Sequence, residues 1–74
     1  MPDLDLVFLG EDELEALRLC DMEAYDQSGA GEQMGVSRGT VQRLLKAGRE
    51  KVVRALVEGG AIVIGEKTEE KKQE

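Results

Sequence analysis

The chain has 74 residues, 41% of them apolar, with 16 Asp and Glu, 10 Lys and Arg, no His and a single Cys, for a formal charge of −6. One Cys cannot close an internal disulfide, which argues for a reducing, cytoplasmic setting, and the absence of His removes the commonest general base and metal ligand. No apolar run approaches the ~20 residues of a membrane span and no basic segment precedes an apolar one at the N-terminus, so neither membrane insertion nor secretion is expected.

Residues 4–9, LDLVFL, begin with alternation and end apolar, which predicts a short strand closed by Gly10. From Glu11 the sequence EDELEALRLCDMEAYD combines strong helix formers with acids in the first turn, where the macrodipole favours them. Helix one is therefore expected over about 11–24, with Leu14, Leu17, Cys20 and Ala24 facing the core. Leu19 and Met22 project to another side, an apolar surface to be covered by the terminal strands or by another subunit. Arg18 has Glu15 and Asp21 within helical reach as ion-pair partners. Cys20 reads as a small core residue, and the acids Glu11, Asp12, Glu13 and Glu15 as a helix N-terminus and not a metal site.

Asp26 is suited to cap a second helix over 27–34, weakened by Gly29 and Gly31, with Gly35 as the turn. Ser37 is suited to cap a third helix running to about Glu58, where Gly59-Gly60 ends it. The run AIVI at 61–64 is expected to be a strand able to pair with residues 4–9. Residues 66–74 form a polar, mixed-charge tail without apolar anchors, for which no ordered structure is expected. The fold class is thus mainly α, a three-helix domain over 11–60 flanked by an N-terminal strand segment (1–10) and a short strand (61–65).

Charge is distributed unevenly along these elements. Residues 1–36 carry ten acids against Arg18 alone, a charge of −9, whereas residues 37–54 carry six bases against Glu50 alone, a charge of +5. The basic segment coincides with the third helix. The stretch 27–44, QSGAGEQMGVSRGTVQRL, has the spacing of a helix-turn-helix: a small residue fifth (Gly31), glycine ninth (Gly35), and apolar residues at Met34, Val36, Val41 and Leu44 to fill the wedge between helices. Along the third helix Val41, Leu44, Leu45, Gly48, Val52, Ala55 and Leu56 form one stripe, and Arg38, Gln42, Arg43, Lys46, Arg49 and Arg54 collect on the remaining arc. Such segregation separates a core face from a basic face. Arg43 can fork onto a guanine and Gln42 onto an adenine, while Arg38, Lys46 and Arg49 reach toward bases or phosphates. Ser37 and Thr40 add phosphate contacts through a hydroxyl or an amide, and Gly39 lies on the same N-terminal face.

These residues resemble known families. SRGTVQRLLKAGREKV at 37–52 looks like the recognition helix of region four of housekeeping-class sigma factors. More closely, DELEALRL at 12–19, MGVSR at 34–38 and ALVEG at 55–59 resemble a small bacterial and archaeal family called domain of unknown function 134, generally described as predicted DNA-binding proteins. The resemblance covers about residues 9–64 and implies a sigma-region-four-like helix-turn-helix with Arg38, Thr40, Gln42 and Arg43 on its recognition face. That family usually carries a further N-terminal segment, and better helix formers usually stand at 29 and 31, which implies a looser second helix here.

The functional expectation is sequence-specific binding of double-stranded DNA, as a transcription regulator acting as a homodimer. The alternative is a protein-interaction module in which the acidic first helix and the strands contact RNA polymerase, a sigma factor or a second copy, since a −9 segment repels DNA unless it is turned away. No cofactor is expected. Without a nucleophile, a phosphate-binding loop or a cofactor motif, the chain does not read as an enzyme.

Overall fold

In the computed structural model, which describes residues 5–65, the elements run in the order β1 (Leu6–Leu9), α1 (Glu11–Leu17), a π-helical turn (Arg18–Met22), α2 (Gln27–Met34), α3 (Arg38–Glu58) and β2 (Ala61–Ile64). Leu4 at the start of the expected strand, and the expected tail at 66–74, lie outside the described residues. The chain is mainly helical, with a small two-stranded sheet. β1 and β2 pair in parallel, Leu6 beside Ala61 and Leu9 beside Ile64. A parallel pair requires a crossover, and here the whole helical body supplies it.

The helix ends follow from local chemistry. Asp26 Oδ1 accepts the Gly29 N–H at 2.7 Å and Ser37 Oγ accepts the Thr40 N–H at 3.1 Å, satisfying first-turn donors of α2 and α3. Gly35 (φ 75°) and Gly59 (φ 72°) end the same helices in the left-handed region, which only glycine enters without a Cβ penalty. At α1 the Glu13 carboxylate reaches back to the Gly10 N–H at 2.9 Å.

Helix one departs from its expected course. It stays α-helical only to Leu17 and then widens into the π turn, closed by a Glu23 N–H to Arg18 carbonyl bond of 2.9 Å. Ala24 takes φ 68° and is exposed, so the expected helix to residue 24 ends at Met22 and Ala24 is not a core residue. The buried face is also rotated. Ala16 is fully buried, with Leu19 buried and Cys20 half-buried on either side of it, whereas Leu14 is exposed. At ~100° per residue, Leu19 and Cys20 lie within about 60° of Ala16, and Leu14 lies about 160° away. Two overlapping apolar stripes were available, and the one centred on the smallest residue faces inward because it lets the helices approach most closely. Leu17 keeps a place at the edge of this face, where its Cδ1 lies 3.1 Å from the point a Cβ on Gly48 of α3 would occupy.

Ala16, Leu19, Ala30, Val41 and Leu45 form the main core, with Leu17, Cys20, Met34 and Leu44 packed against it. On the strand side Val7, Leu9 and Ala55 are buried. Besides Leu14 and Ala24, two further expected core residues are outside. Val36 is 38% exposed, because its backbone and not its side chain enters the wedge between α2 and α3. Its N–H donates to the Gly31 carbonyl at 2.9 Å, and its own carbonyl oxygen stands 2.7 Å from where a Cβ on Gly31 would lie. Leu56 is 76% exposed, because β1 covers a different side of α3: Leu6 and Val7 run beside Ala47, Lys51 and Arg54, about 160° round the helix from Leu56 at the last of these.

One partly buried ion pair ties α1 to α3. Lys51 Nζ donates to Glu13 Oε1 at 2.7 Å, the same oxygen that accepts the Gly10 N–H. Desolvation pushes the Glu13 carboxyl up, but the hydrogen bonds from Lys51 and Gly10 together with the Lys51 charge outweigh it, and its pKa lies below the ordinary 4.5.

Two measurements check this account. Gly31→Ala should lower stability by about 1–3 kcal/mol in urea unfolding, since backbone must move to admit the methyl group. Gly39→Ala, at an exposed helical site where an added Cβ would meet only Arg43 Nη1 and Ser37 Oγ at an unstrained 4.0 Å, should raise it by up to ~1 kcal/mol. Because the Glu13 carboxyl is depressed in the folded state, its contribution is complete above the ordinary carboxylate value and disappears as pH falls through the folded value. Glu13→Gln should therefore be less stable than the parent at pH 7 by about 1–3 kcal/mol, with the gap closing below pH ~4.

Candidate nucleic-acid interface

α3 is 21 residues long, about 30 Å, and its N-terminal half carries the expected site. Ser37, Arg38, Gly39, Gln42, Arg43 and Lys46 are exposed and Thr40 is half-buried, all on the first turns of α3 or at its cap. The N-terminal turn is internally organised. Ser37 Oγ donates to Thr40 Oγ1 at 3.1 Å, and Arg43 Nη2 donates to the same oxygen at 3.3 Å, which directs the guanidinium back toward the helix start. Arg38 lies at the opposite end of this group, beside Asp26, Gln27 and Ser28 at the start of α2.

The basic arc divides into two halves that composition alone does not distinguish. Among the described residues no acid pairs with Arg38, Arg43 or Lys46. The three bases that follow are each neutralised: Arg49 by Asp21, Lys51 by Glu13 and Arg54 by Glu50. Arg49 binds Asp21 through both Nε (3.1 Å) and Nη2 (2.7 Å), a fork that locks the middle of α3 to the π turn. The hydrogen bond from Arg49 holds the Asp21 carboxyl below the ordinary carboxylate range despite partial desolvation. Arg49 thus stands apart from the other expected contact residues, already committed to an intramolecular partner.

The expected partnership of Arg18 changes accordingly. Its guanidinium meets Glu15 at 2.8 Å and Glu23 at 3.6 Å, leaving Asp21 to Arg49. Sequence reading placed Asp21 one turn from Arg18 on an ideal α-helix, and the π turn re-aims it across to α3. The Arg54 pair with Glu50, at 3.0 Å, is an ordinary (i, i+4) contact visible from spacing. Cys20 is half-buried with Sγ 4.0 Å from the Asp26 carbonyl. Burial, with a contribution from the Asp21 charge, pushes its thiol up and disfavours the reactive thiolate. Among the described residues no three His, Cys, Asp or Glu side chains gather as metal ligands, and no helix is long and apolar enough to cross a membrane.

Comparison with known proteins gives a family. A family model described as "Protein of unknown function DUF134" matches residues 2–72. The chain is 52% identical over 58 residues to a UPF0251 protein of Thermococcus kodakarensis, covering 78% of this chain and 51% of that one. It is 54% identical over 59 residues to a UPF0251 protein of Syntrophobacter fumaroxidans, covering 80% and 38%, and 48% identical over 60 residues to one of Vibrio parahaemolyticus, covering 81% and 62%. The chain thus spans between about two fifths and three fifths of the length of these relatives. No solved structure matches it. The chain belongs to the DUF134 family, also named UPF0251, whose members occur in archaea and bacteria.

The cap that anchors this surface can be tested without any ligand. Ser37→Ala should lower stability by about 1 kcal/mol, read as a reduced thermal midpoint, because the Thr40 N–H loses its acceptor.

Proposed function

For this member of the DUF134 family, we propose binding of double-stranded DNA through the N-terminal half of α3, with α2 and α3 acting as a helix-turn-helix and transcription regulation as the biological outcome. The observation that carries the reading is the division of the basic arc. Among the described residues no acid pairs with Arg38, Arg43 or Lys46, and they cluster with Gln42 on the exposed face of the half helix that a recognition helix would present. Solvated lysines and arginines on an ordinary helix surface would pair with the plentiful acids, as their three neighbours do.

On this reading Arg43 and Gln42 address base edges, by a bidentate contact to guanine and to adenine respectively. Arg38 and Lys46 neutralise phosphates on either side, and the Ser37 and Thr40 hydroxyls and first-turn amides add uncharged phosphate contacts. Gly39, with no side chain, leaves room for the duplex to approach the helix between Arg38 and Thr40. Arg49 joins only by leaving Asp21. The acids of α1 belong to a different face, where they repel misdirected duplex and so favour one docking orientation.

Fluorescence anisotropy with duplex DNA tests the proposal. Binding should weaken with salt with a slope of log K against log salt of about −2 to −3, as expected for two or three neutralised phosphates. Arg43→Ala should lose at least about tenfold in affinity for a selected site. Asp21→Asn, which releases Arg49, should steepen the slope by about 0.9 and tighten binding at low salt. Absence of binding at 50 mM salt, or binding indifferent both to salt and to Arg43→Ala, would overturn the reading.

A further inference from the structure

The three bases of α3 without an acidic partner are not held alike. Among the described residues Arg38 and Lys46 have no hydrogen-bond partner for their charged heads, whereas Arg43 has one in Thr40, whose Oγ1 accepts from Nη2 at 3.3 Å. Thr40 is itself fixed from the preceding turn. Its N–H donates to Ser37 Oγ at 3.1 Å, and the Ser37 hydroxyl donates to Thr40 Oγ1 at 3.1 Å. It is also the half-buried member of an otherwise exposed group. The result is a run of hydroxyl, hydroxyl and guanidinium at residues 37, 40 and 43, following the three-residue spacing of one helix face. A long helical side chain leans toward the N-terminus. Here the guanidinium comes to rest over the first turn, with Nη1 4.0 Å from the place of a Cβ on Gly39.

We propose that Thr40 is the positioning residue for Arg43: its Oγ1 holds the guanidinium in one orientation at the start of α3 and thereby sets how selectively Arg43 reads a base pair. This role rests on the DNA reading above. The donor count permits it. A guanidinium has five N–H donors and a guanine edge takes two, so one given to Thr40 leaves the fork intact. Thr40 Oγ1 has two lone pairs, which Ser37 and Arg43 occupy, and its own proton remains for a phosphate. A neutral hydroxyl also leaves the charge of Arg43 in place, unlike the Asp21 carboxylate that holds Arg49.

Orientation matters because a long exposed cation meets two kinds of acceptor on a duplex. Phosphates flank every base pair and accept from a guanidinium in many poses, which gives affinity without sequence information. The N7 and O6 of guanine accept a planar fork only when it is presented to them in the major groove. A guanidinium already tethered loses less freedom on meeting those two atoms, and it swings less readily to a neighbouring phosphate. Thr40 therefore acts on discrimination between sequences more than on total affinity. Lys46, a compact charge without such a tether, has the opposite character.

Two measurements on the full chain test this, the first without DNA. NMR relaxation at the arginine Nε should show Arg43 more ordered than Arg38. The difference should vanish in Thr40→Val, which keeps the side-chain shape and loses the hydroxyl, and persist in Thr40→Ser. Equal order at the two arginines, or order at Arg43 unchanged by Thr40→Val, would overturn the proposal whether or not DNA binds. The second is fluorescence anisotropy with a selected duplex and its single-base-pair variants. The base pair whose preference disappears in Arg43→Ala is the one that Arg43 reads. Thr40→Val should cut the preference there by at least about threefold while leaving other preferences and the salt slope unchanged, and Thr40→Ser should retain it. Uniform weakening across all duplexes would reduce Thr40 to a phosphate contact, and loss of preference at every position would make its role structural; either result overturns the proposal. An ordered Arg43 in a chain that binds no duplex would overturn the DNA reading and the selectivity role with it, leaving the tether as a feature of the fold.

Discussion

The turn between α2 and α3 folds back onto the Cα of Gly31 so closely that the Val36 carbonyl oxygen lies 2.7 Å from the place of a missing Cβ. Much of the molecule depends on that approach. It sets how α2 leans on α3, which brings Ala30 against Val41 and Leu45 and so closes the core with small and medium side chains alone. It also fixes where α3 begins, because the backbone that touches Gly31 leads directly into the Ser37 cap. A larger residue at 31 would push the turn outward, and the start of α3 with its exposed bases would move with it. Gly31 costs α2 roughly 1 kcal/mol in helix propensity, and the close contact is what that cost makes possible.

Charge then determines what the two halves of α3 can do. The acids of the first helix do not simply surround the basic helix. Glu13 and Asp21 reach across and neutralise Lys51 and Arg49, so the middle of α3 is held by ion pairs. Of these, the Glu13 pair is shielded enough from water to matter for stability, while Asp21 and Arg49 are each about half exposed and their pairing mainly orients the two side chains. What remains electrostatically available is the first three turns. The chain's negative total and its positive site coexist because the acids are used where α3 faces its own domain.

Much of this was legible in the sequence wherever a single residue type has a steep local preference. Asp26, Ser37, Gly35 and Gly59 marked the ends of α2 and α3 correctly, and the strand pairing of residues 61–64 with the N-terminal run was expected. The errors have separate causes, and several lie where backbone took an unusual path. Helix one was expected to run as a regular α-helix to residue 24 with Leu14 inside and Asp21 beside Arg18; the π turn and the left-handed Ala24 end it early and re-aim Asp21, whereas Leu14 is outside because the stripe centred on Ala16 faces inward. No glycine or proline marks that change. Val36 was read through its side chain when its peptide group fills the wedge. The pairing of Arg49 with Asp21 spans 28 positions, and nothing in local spacing could have picked it from several available acids. The basic residues of α3 were countable in the sequence, but their division into paired and unpaired cations among the described residues depends on tertiary contacts.

The parallel pairing of β1 and β2 explains why one helix can carry two different surfaces. Joining the start of the domain to its end clamps the C-terminal half of α3 on the side of Ala47, Lys51 and Arg54, where β1 lies. The N-terminal half is held from another direction, by α2 and by the core at Val41 and Leu45. Each clamp leaves a different arc of the helix open. At the N-terminal end the open arc is polar and basic, suited to a phosphate backbone. At the C-terminal end it is apolar, with Val53, Leu56 and Val57 exposed. The two arcs differ in chemistry, and a phosphate would gain nothing from Leu56. A continuous helix is rigid over its length, so the clamp that β1 makes on its C-terminal half also fixes where Arg43 stands relative to the sheet.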